Sequence, residues 1–530
     1  MTEVIMVVSP ELYWSVVIVA TLLAAAITLI WRAQRQRQAG EQLAMKGATL
    51  SPTFGECWLR AARQLWREDI RAEERHRMQV VVSLACVFIS LSIGYSYARI
   101  AWIDGWQLWT WVVCVIILVV ALWPANVWPR SYLAEWKVVL ALGVIALLLR
   151  LLLLEMVPGG LHVDEMGVAD FAARHVFPPG NQTLNPFHTG AASQPALYHY
   201  LIRLSFALFS YSIWGLRVGS VVAGTLAVLA TYAVVAVWQD RRTALLAAAV
   251  MATYHYHIHW SRLGLNNVWD TLWVPLTLAA FTWGWQRQWS GGAVMAGLAL
   301  GLSQYFYAGS KVGIFLLAYA VYVLYRRTPD RRRLLIHGGK LLVTAVTVAA
   351  PIALFAILMP AVYFQRSRIV FGWEYGAIVE AVGEYNLGQY LWHQVWRNAG
   401  AFTAVPEITG FYGPGVPFLI GLAAPLFVIG FLWSLWQRRW LPVLWVLLTI
   451  LFGGIMLTGA PSSSHFVVVI PAICWLTAVP LSWLWQRGHW KIALLLLAAV
   501  MATDLIFYFG IYVPRSPRDL FNPLPPWPFG

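Results

Sequence analysis

The sequence contains few charged residues: Asp, Glu, Lys and Arg make up 11% of its 530 residues, while 60% are hydrophobic. Soluble globular proteins carry roughly a quarter charged residues, so the composition excludes an ordinary soluble protein. Acidic residues are the scarcer charged type, and the net charge is +14. Because the basic residues lie between apolar runs rather than on one polar face, they indicate membrane topology and no nucleic-acid partner.

Cysteine is also scarce. The chain has four cysteines, at Cys57, Cys86, Cys114 and Cys474, and no CxxC pair. This pattern indicates neither a disulfide framework nor a zinc motif, and three of the cysteines lie within apolar runs as packing residues. The alternation of polar and apolar residues that is typical of an outer-membrane barrel is lacking as well.

Long apolar runs are abundant instead. A membrane-crossing helix needs about 20 mostly apolar residues, and the lipid forces its backbone groups to pair within the helix. The sequence therefore predicts an all-α polytopic membrane protein, a multi-helix bundle with about 14 transmembrane helices. The predicted spans are residues 11–31, 79–98, 106–123, 137–156, 216–237, 243–260, 266–285, 291–308, 311–325, 339–360, 416–436, 441–458, 464–485 and 491–512. The first run lacks a preceding basic region and a cleavage site, which favours a retained anchor over a signal peptide.

Arginines are distributed unevenly between the loops. If residues 32–78 are cytoplasmic, alternation of the spans puts most loop arginines on the same side. They are Arg130, Arg241, Arg242, Arg287, Arg326, Arg327, Arg331, Arg332, Arg333, Arg438, Arg439 and Arg487. Lys and Arg are enriched in cytoplasmic loops, so the long polar loops at 157–200 and 361–415 are predicted to lie outside.

The chain is predicted to have three parts. Residues 1–136 form an N-terminal three-span extension, residues 137–512 a transmembrane core, and residues 513–530 a Pro-rich tail. Within the extension, residues 32–78 repeat arginine and apolar residues at helical spacing, which predicts a basic amphipathic helix lying on anionic lipid. Docking of a protein partner through residues 1–136 is the alternative.

Ionisable residues are concentrated in the loop at 157–200. Asp164 and Glu165 are adjacent there, and Asp170 and Arg174 follow at i,i+4 spacing. Ionisable groups beside a bilayer are costly and tend to be functional, so we predict an active-site loop.

Further polar side chains occur at the predicted outer ends of three spans. HWSRLGLNN and GLSQYFYAGSK end two of these spans, and the turn TGAPSSSH follows a third. All are predicted on the same side as the 157–200 loop, so one polar site could form there. His255 and His259 share a helix face, and a divalent metal bound with Asp164 or Glu165 is possible but unsupported, because the sequence fixes no third ligand.

HVDEM, SQPALYHYL, WGLRVGSVVAG, HWSRLGLNN and GLSQYFYAGSK occur in this order along the chain. In these landmarks residues 137–485 resemble the polyprenyl- and dolichyl-phosphate-sugar glycosyltransferases of the protein O-mannosyltransferase and lipid A aminoarabinose transferase type. The resemblance implies a GT-C membrane fold. It also implies transfer of a sugar, with inversion, from a polyprenyl-phosphate donor to a hydroxyl or amine of a protein, lipid or glycan acceptor. The reaction would take place without a cofactor, at the non-cytoplasmic face of a bacterial-type plasma membrane.

The resemblance also implies roles for individual residues. Asp164 matches the family's principal loop aspartate and is predicted to be the general base, a role that Glu165 shares or holds. Arg262 and Lys311 are predicted to bind the donor phosphate. The predicted substrate pocket consists of His162, His188, Gln194, His259, Asn267, Asp270, Tyr305, Tyr307 and His465. Structural alternatives stay open: a helix cap for the carboxylates, and interfacial anchors for the cations and tyrosines.

Two positions depart from the family pattern. Relatives often carry an acidic residue where Asn267 stands, and a basic or His-Pro-Pro type element where Ser193, Gln194 and Pro195 stand. Asp270 and His188 are the candidates to compensate. These departures keep an inactive accessory subunit open as an alternative function, and a membrane transporter is the other.

The second outer loop, at 361–415, has aromatic and apolar residues near helical spacing. We expect interfacial helices over the site that take part in acceptor selection. Its ionisable residues either contact substrate or form a solvated face; they are Glu374, Glu384, His393, Arg397 and Glu407.

Overall fold

The part of the chain that the structure describes is almost entirely helical. The computed structural model describes residues 72–124, 136–189, 194–371, 373–407, 409–459 and 461–515, together with residues 524 and 527. The predicted span at 11–31, residues 32–71 of the predicted basic segment and nearly all of the Pro-rich tail lie outside these residues. The chain divides into two units, Met1–Ile89 and Ser90–Gly530. Only the first part of helix α1 is described in the former.

The helices and the single pair of short strands in the described residues follow one another along the chain. The first are α1 (Ala72–Tyr97), β1 (Trp102–Ile103), α2 (Trp106–Leu122), α3 (Trp136–Leu151), α4 (Val163–His175), β2 (Thr183–Leu184), α5 (Leu197–Phe209), α6 (Ile213–Trp238), α7 (Arg241–Thr253) and α8 (His255–Trp260). Next come α9 (Asp270–Gln286), α10 (Gly291–Ser303), α11 (Val312–Arg327), α12 (Arg331–Leu358), α13 (Pro360–Tyr363), α14 (Gln365–Val370), α15 (Tyr375–Val382) and α16 (Leu387–Gly400). The last are α17 (Ala423–Trp436), α18 (Trp440–Ile450), α19 (Ser463–Phe466), α20 (Ile470–Gln486), α21 (Trp490–Leu505) and α22 (Val513–Arg515).

Six described helical segments are long and apolar enough to cross a membrane. They are His76–Tyr97, Ile213–Trp238, Ala308–Arg327, Arg331–Leu358, Ser463–Gln486 and Trp490–Arg515. A seventh crossing results if the segments Ala423–Trp436 and Trp440–Ile455, bent by 117° at their junction, count as one span. The all-α membrane architecture is therefore confirmed for the described residues, whereas the predicted count of about 14 spans is not.

Two local predictions were wrong. The predicted span at 243–260 is two helices, α7 and α8, because Tyr254 between them adopts extended backbone. The motif SQPALYHYL was read as part of a long loop, but its second half begins helix α5, which continues to Phe209. The tyrosines and histidine in α5 make its sequence look polar, although the helix packs on α6 by an apolar face.

The centre of the second unit is the segment Ser463–Gln486, of which 83% is buried within the protein. Its helix α20 packs against α7 and α17, while α9 packs against α6 and α10. The contact between α17 and α20 depends on Gly430, since a Cβ atom there would lie 1.9 Å from the carbonyl oxygen of Leu476. Small residues allow this close approach of backbones in membrane bundles.

Replacing Gly430 by alanine is expected to destabilise the protein by about 1–3 kcal/mol, because α17 must move away from α20 to admit the methyl group. Thermal unfolding of the purified protein in detergent measures the change. Gly219→Ala in α6 is the matched control, since a Cβ atom there meets nothing within 4 Å. Equal melting temperatures for the two variants would contradict the close contact.

Helix α16 has an inverted distribution of polar and apolar residues. Its buried face carries Tyr390, Gln394 and Asn398. Trp392 and Trp396 on the opposite face are 70% and 60% exposed. Exposed tryptophans on a helix of a membrane protein are typical of the lipid–water interface, which agrees with the interfacial helices predicted for the second outer loop.

Candidate active site

The N-terminus of α4 fixes the position of Asp164. His162 is the N-cap residue: its Nδ1 accepts a hydrogen bond from the Asp164 backbone N–H at 3.1 Å, and its own N–H donates to Glu165 Oε2 at 3.1 Å. This capping box starts the helix at one defined residue. The Asp164 side chain is half-buried, and its carboxylate makes no hydrogen bond within the described residues. An available carboxylate on a rigid helix end is suited to accept a proton.

Glu165 has a different environment from its neighbour. It is completely buried, and Arg217 donates from Nε to Oε1 at 2.9 Å and from Nη2 to Oε2 at 3.0 Å. The backbone N–H of Gly264 donates to Oε1 at 2.7 Å. Both oxygens of Glu165 are thus occupied by donors, which corrects the expectation that the two carboxylates share the base role. The geometry makes Glu165 a positioning residue.

Arg217 extends this arrangement to the segment that precedes α4. Besides Glu165, its guanidinium donates to the carbonyl oxygens of Leu154 and Pro158 at 3.1 and 3.0 Å, and to that of Gly160. One buried ion pair on α4 and α6 therefore holds both the helix that carries Asp164 and the turn leading into it.

A second carboxylate, Asp270, begins helix α9 and is completely buried. Its Oδ2 approaches Gly309 so closely that a Cβ atom at that position would lie 2.5 Å from it. Lys311, two residues further, is within electrostatic range of the Asp270 carboxylate. The Lys311 side chain is half-buried and forms no hydrogen bond within the described residues.

Tyr307 is electrostatically coupled to both carboxylates. Its phenol is within electrostatic range of Asp164, Asp270 and Arg366. Its hydroxyl forms a hydrogen bond of 2.9 Å with Nδ1 of His465, which is itself within electrostatic range of Arg366. These residues and Lys311 define what we call the outer cluster: Asp164, Asp270, Tyr307, Lys311, Arg366 and His465.

Asn267 lies beside the outer cluster. Its Nδ2 donates to the carbonyl oxygen of Ser464, next to His465, at 3.3 Å. The preceding Asn266 donates from Nδ2 to Oε1 of Gln194 at 2.8 Å. The structure thus brings Gln194 and Asn267 near residues of the predicted site, although neither carries the charge that relatives often have there.

Arg366 is the one member of the outer cluster that the sequence did not predict. It lies in α14 with an exposed side chain. The signal was present, because QRSR places Arg366 and Arg368 in a predicted outer loop with few basic residues. Loop arginines are common, however, and only the folded chain brings this one within electrostatic range of Tyr307.

Arg262 does not have the environment predicted for it. Its guanidinium is buried and donates to the carbonyl oxygens of Val157, Leu149 and Arg150 at 3.1, 2.9 and 3.0 Å, and to that of Leu152. Three of these carbonyls end helix α3, where a cation complements the helix dipole. Its donors are used within the protein, so Arg262 stabilises a helix end rather than offering a phosphate site.

Tyr305 and His259 are likewise structural. The Tyr305 hydroxyl donates to the Val348 carbonyl oxygen at 2.8 Å from a fully buried position. His259 Nε2 lies 2.9 Å from the Phe411 carbonyl oxygen, and its ring stacks on Tyr412 with centroids 4.1 Å apart. Both side chains are completely buried, so neither is accessible to a sugar.

His188 is half-buried, with its ring 4.5 Å from that of Phe355. Burial lowers the pKa of its imidazole, so the ring is neutral at pH 7 and does not replace the missing basic element. Of the two histidines that share a helix face, His255 bonds through Nδ1 to the Tyr412 hydroxyl at 2.7 Å and through Nε2 to the Phe418 carbonyl oxygen at 3.1 Å. No group of three or more metal-ligating side chains occurs among the described residues.

Residues 409–416 form a loop that reaches the N-terminus of α4. Glu407 anchors it by accepting hydrogen bonds from the backbone N–H groups of Thr409, Gly413 and Ser463 at 3.0, 2.7 and 3.3 Å. Burial raises the pKa of Glu407, although these bonds oppose the shift. Phe411 in the same loop stacks on the His162 ring with centroids 4.6 Å apart. Glu407 is therefore a structural anchor rather than an open substrate contact.

Comparison with known proteins gives three kinds of match. The family model described as dolichyl-phosphate-mannose-protein mannosyltransferase matches residues 193–362. The undecaprenyl phosphate-alpha-4-amino-4-deoxy-L-arabinose arabinosyl transferase of Pseudomonas aeruginosa strain UCBPP-PA14 is 28% identical over 194 residues, which are 35% of each chain. That of Pseudomonas fluorescens Pf-5 is 25% identical over 256 residues, covering 46% of this chain and 41% of the relative.

Among solved structures, ArnT from Cupriavidus metallidurans matches with 17% identity and a TM-score of 0.44, covering 70% of this chain and 64% of that one. The Archaeoglobus fulgidus oligosaccharyltransferase matches with 17% identity and a TM-score of 0.46, covering 73% and 53%. The chain thus spans about a third of the length of the first relative that it matches by sequence.

The resemblance to polyprenyl-phosphate-sugar glycosyltransferases is confirmed by these sequence matches, and the chain is an integral membrane protein. The segment matched by the family model contains Asn267, Asp270, Tyr307 and Lys311 but begins after Asp164.

Proposed function

We propose that this protein is a glycosyltransferase of GT-C fold that moves a sugar from a polyprenyl-phosphate donor to a hydroxyl or amine acceptor. The reaction takes place at the non-cytoplasmic face of a bacterial plasma membrane. The observation that carries the proposal is the outer cluster, in which the half-buried Asp164 carboxylate, with no hydrogen bond within the described residues, is in electrostatic range of Tyr307. Tyr307 is in turn within electrostatic range of Asp270 and Arg366. The names of the matched relatives, which include undecaprenyl phosphate, support the donor class.

Asp164 acts as the general base. The acceptor oxygen or nitrogen attacks the anomeric carbon of the donor, its proton passes to the carboxylate, and the bond from that carbon to the phosphate oxygen breaks. Proton transfer to a positioned carboxylate contributes about 10²- to 10⁴-fold to such reactions. Direct displacement from the face opposite the phosphate inverts the anomeric centre.

Lys311 and Arg366 hold the departing phosphate. The leaving group is a polyprenyl phosphate anion, so it requires nearby positive charge more than it requires an acid. Arg366 has an exposed guanidinium that can donate two parallel hydrogen bonds, and Lys311 adds a point charge beside Asp270. Arg366 thus takes the role that the sequence assigned to Arg262. We propose that no cofactor is needed, because the donor already carries an activated leaving group.

The proposal is tested by reconstituting the purified chain in phospholipid vesicles with undecaprenyl phosphates that carry radiolabelled arabinose, mannose or glucose. Transfer of label to a membrane or envelope fraction, or release of free undecaprenyl phosphate, is expected for at least one donor. Movement of label across the vesicle without cleavage would indicate a transporter. If the protein binds a donor tightly but transfers its sugar to none of the fractions, it is an accessory subunit.

Arg366→Ala is expected to raise KM for the donor roughly 10- to 100-fold, the loss expected for hydrogen bonds to a charged group. The value of kcat should change less, because the base is untouched. Initial rates over a range of donor concentrations measure both constants. Arg368→Ala, two residues along the same helix and also exposed, is the control. If both variants lose activity equally, the effect is the general charge of the loop rather than a phosphate contact.

A further inference from the structure

A concavity of about 480 Å³ lies at the C-terminal end of α4, the end opposite Asp164. It is lined by Trp102, Arg174, His175, Pro178, Asn181 and Gln182. Its volume lies in the range of small-molecule sites, roughly 300–1,000 Å³. None of these residues belongs to the outer cluster.

The frame of the concavity is rigid. Strand β1, which carries Trp102, pairs antiparallel with β2, and Trp102 lies opposite Leu184. Asn185, just after β2, donates from Nδ2 to the carbonyl oxygens of Tyr97 and Ile100 at 2.9 and 2.7 Å. Thr183 in β2 accepts a hydrogen bond from the Phe177 backbone N–H at 3.0 Å. The residues before β1, the strands and the turn after α4 are thereby tied together.

Trp102 supplies the apolar wall. Its side chain is 38% exposed, although its ring meets the His175 ring edge-on at 5.1 Å. An indole that is held from one side and open on the other offers a flat surface to a ligand, and aromatic residues with one wet side are common in binding sites.

The polar wall consists of planar hydrogen-bonding groups. Asn181 is exposed, and its side-chain amide makes no hydrogen bond within the described residues. Gln182 is held by Nε2 donating to Asp104 Oδ1 at 3.1 Å, which leaves its carbonyl oxygen available. Arg174 Nε is paired with Oδ1 of Asp170, its helical neighbour, so a carboxylate already stands beside its charge. Burial lowers the pKa of His175, and the ring is neutral at pH 7.

These walls favour one class of ligand. An anion would lack an unpaired cation, and a purely apolar molecule would leave the amides of Asn181 and Gln182 without partners. A neutral sugar satisfies both walls, because its ring C–H groups cover an indole while its hydroxyls both donate to and accept from planar amides. We propose that the concavity is a carbohydrate-binding subsite.

Its position indicates which sugar occupies it. Ten residues of α4 separate Asp164 from Arg174, and at 1.5 Å per residue this places the concavity about 15 Å along the helix axis from the base. The donor sugar is held by its lipid phosphate, so the sugar in the concavity belongs to the acceptor. On this inference, which rests on the proposed function, the acceptor is a glycan chain that spans α4 from the subsite to the outer cluster.

Binding is tested by saturation-transfer NMR of the protein in nanodiscs, with neutral manno-, gluco- and galacto-trioses as probes. At least one triose should receive saturation, and Trp102→Ala should weaken its binding at least tenfold. Asn181→Ala, on an exposed turn that tolerates truncation, should weaken it at least threefold. Trp109→Ala on α2, which removes an indole that is 59% exposed and not in the lining, should leave it unchanged.

The use of the subsite is tested by transfer to a glycan acceptor against a short alcohol such as octanol. Trp102→Ala should raise KM for the glycan and leave the rate with the alcohol unchanged. Trioses that bind without any sugar transfer would support the subsite and overturn the proposed function. Two results would overturn the subsite alone. One is transfer to the glycan that is equally fast in Trp102→Ala and in wild type, and the other is that the trioses bind to neither protein.

Discussion

Asp164→Asn is expected to lower kcat for sugar transfer by about 10²- to 10⁴-fold, the usual contribution of a positioned base. Asparagine keeps the size of the side chain but accepts no proton. The capping box that starts α4 uses His162 and Glu165 and the Asp164 backbone, so the helix is preserved. The donor KM should stay within a few-fold of wild type, because the phosphate is held by other residues.

The measurement is kcat and KM with the labelled donor, accompanied by the melting temperature of each protein. Glu380→Gln, which neutralises an exposed carboxylate of α15, is the control and should retain wild-type rates. An Asp164→Asn protein that folds normally and transfers sugar at the wild-type rate removes the base assignment and leaves Asp270 as the next carboxylate to examine.

Glu165→Ala is expected to destabilise the protein by about 3–5 kcal/mol, because it leaves the charged and fully buried Arg217 guanidinium without its counter-ion. Arg217→Met should cost a similar amount. Replacing both residues by apolar ones should cost much less than the sum, since no buried charge is then left alone. Thermal unfolding of the four proteins forms a double-mutant cycle.

The exposed pair Asp170–Arg174 serves as the matched control for this cycle. Its side chains are 36% and 46% exposed, so Asp170→Ala should change stability by less than about 1 kcal/mol. Equal losses for the buried and the exposed pair would show that Glu165 does not position α4. If Glu165→Asp loses activity but keeps its stability, Glu165 has a chemical role as well.

The sequence was a good guide to architecture because membrane helices are governed by length and polarity. It was weaker where a helix is short or broken. Helix α5 combines tyrosines and a histidine with apolar residues, and α7 and α8 are separated by one extended residue, Tyr254. The polar residues lower the average hydropathy of α5, whereas one extended residue leaves that of α7 and α8 unchanged, so an apolar window reveals neither feature.

The candidate site shows the same limit at the level of single side chains. Adjacent Asp164 and Glu165 look equivalent in the sequence, yet the turn of a helix points one toward Arg217 and leaves the other available. Arg262 and Arg366 both lie at predicted outer positions. Only the folded chain shows that the former donates to carbonyl oxygens at the end of α3 and that the latter is within electrostatic range of Tyr307.

Helix α16 exposes the indoles of Trp392 and Trp396 on its outer face, and their preference for one depth in the membrane affects the helix. Indoles prefer the headgroup layer, so the height of this helix follows the thickness of the surrounding hydrocarbon. At Gly400 the chain leaves α16 toward the 409–416 loop, in which Phe411 stacks on His162, the N-cap residue of α4. We therefore expect the phospholipid composition of the membrane to affect the geometry around Asp164.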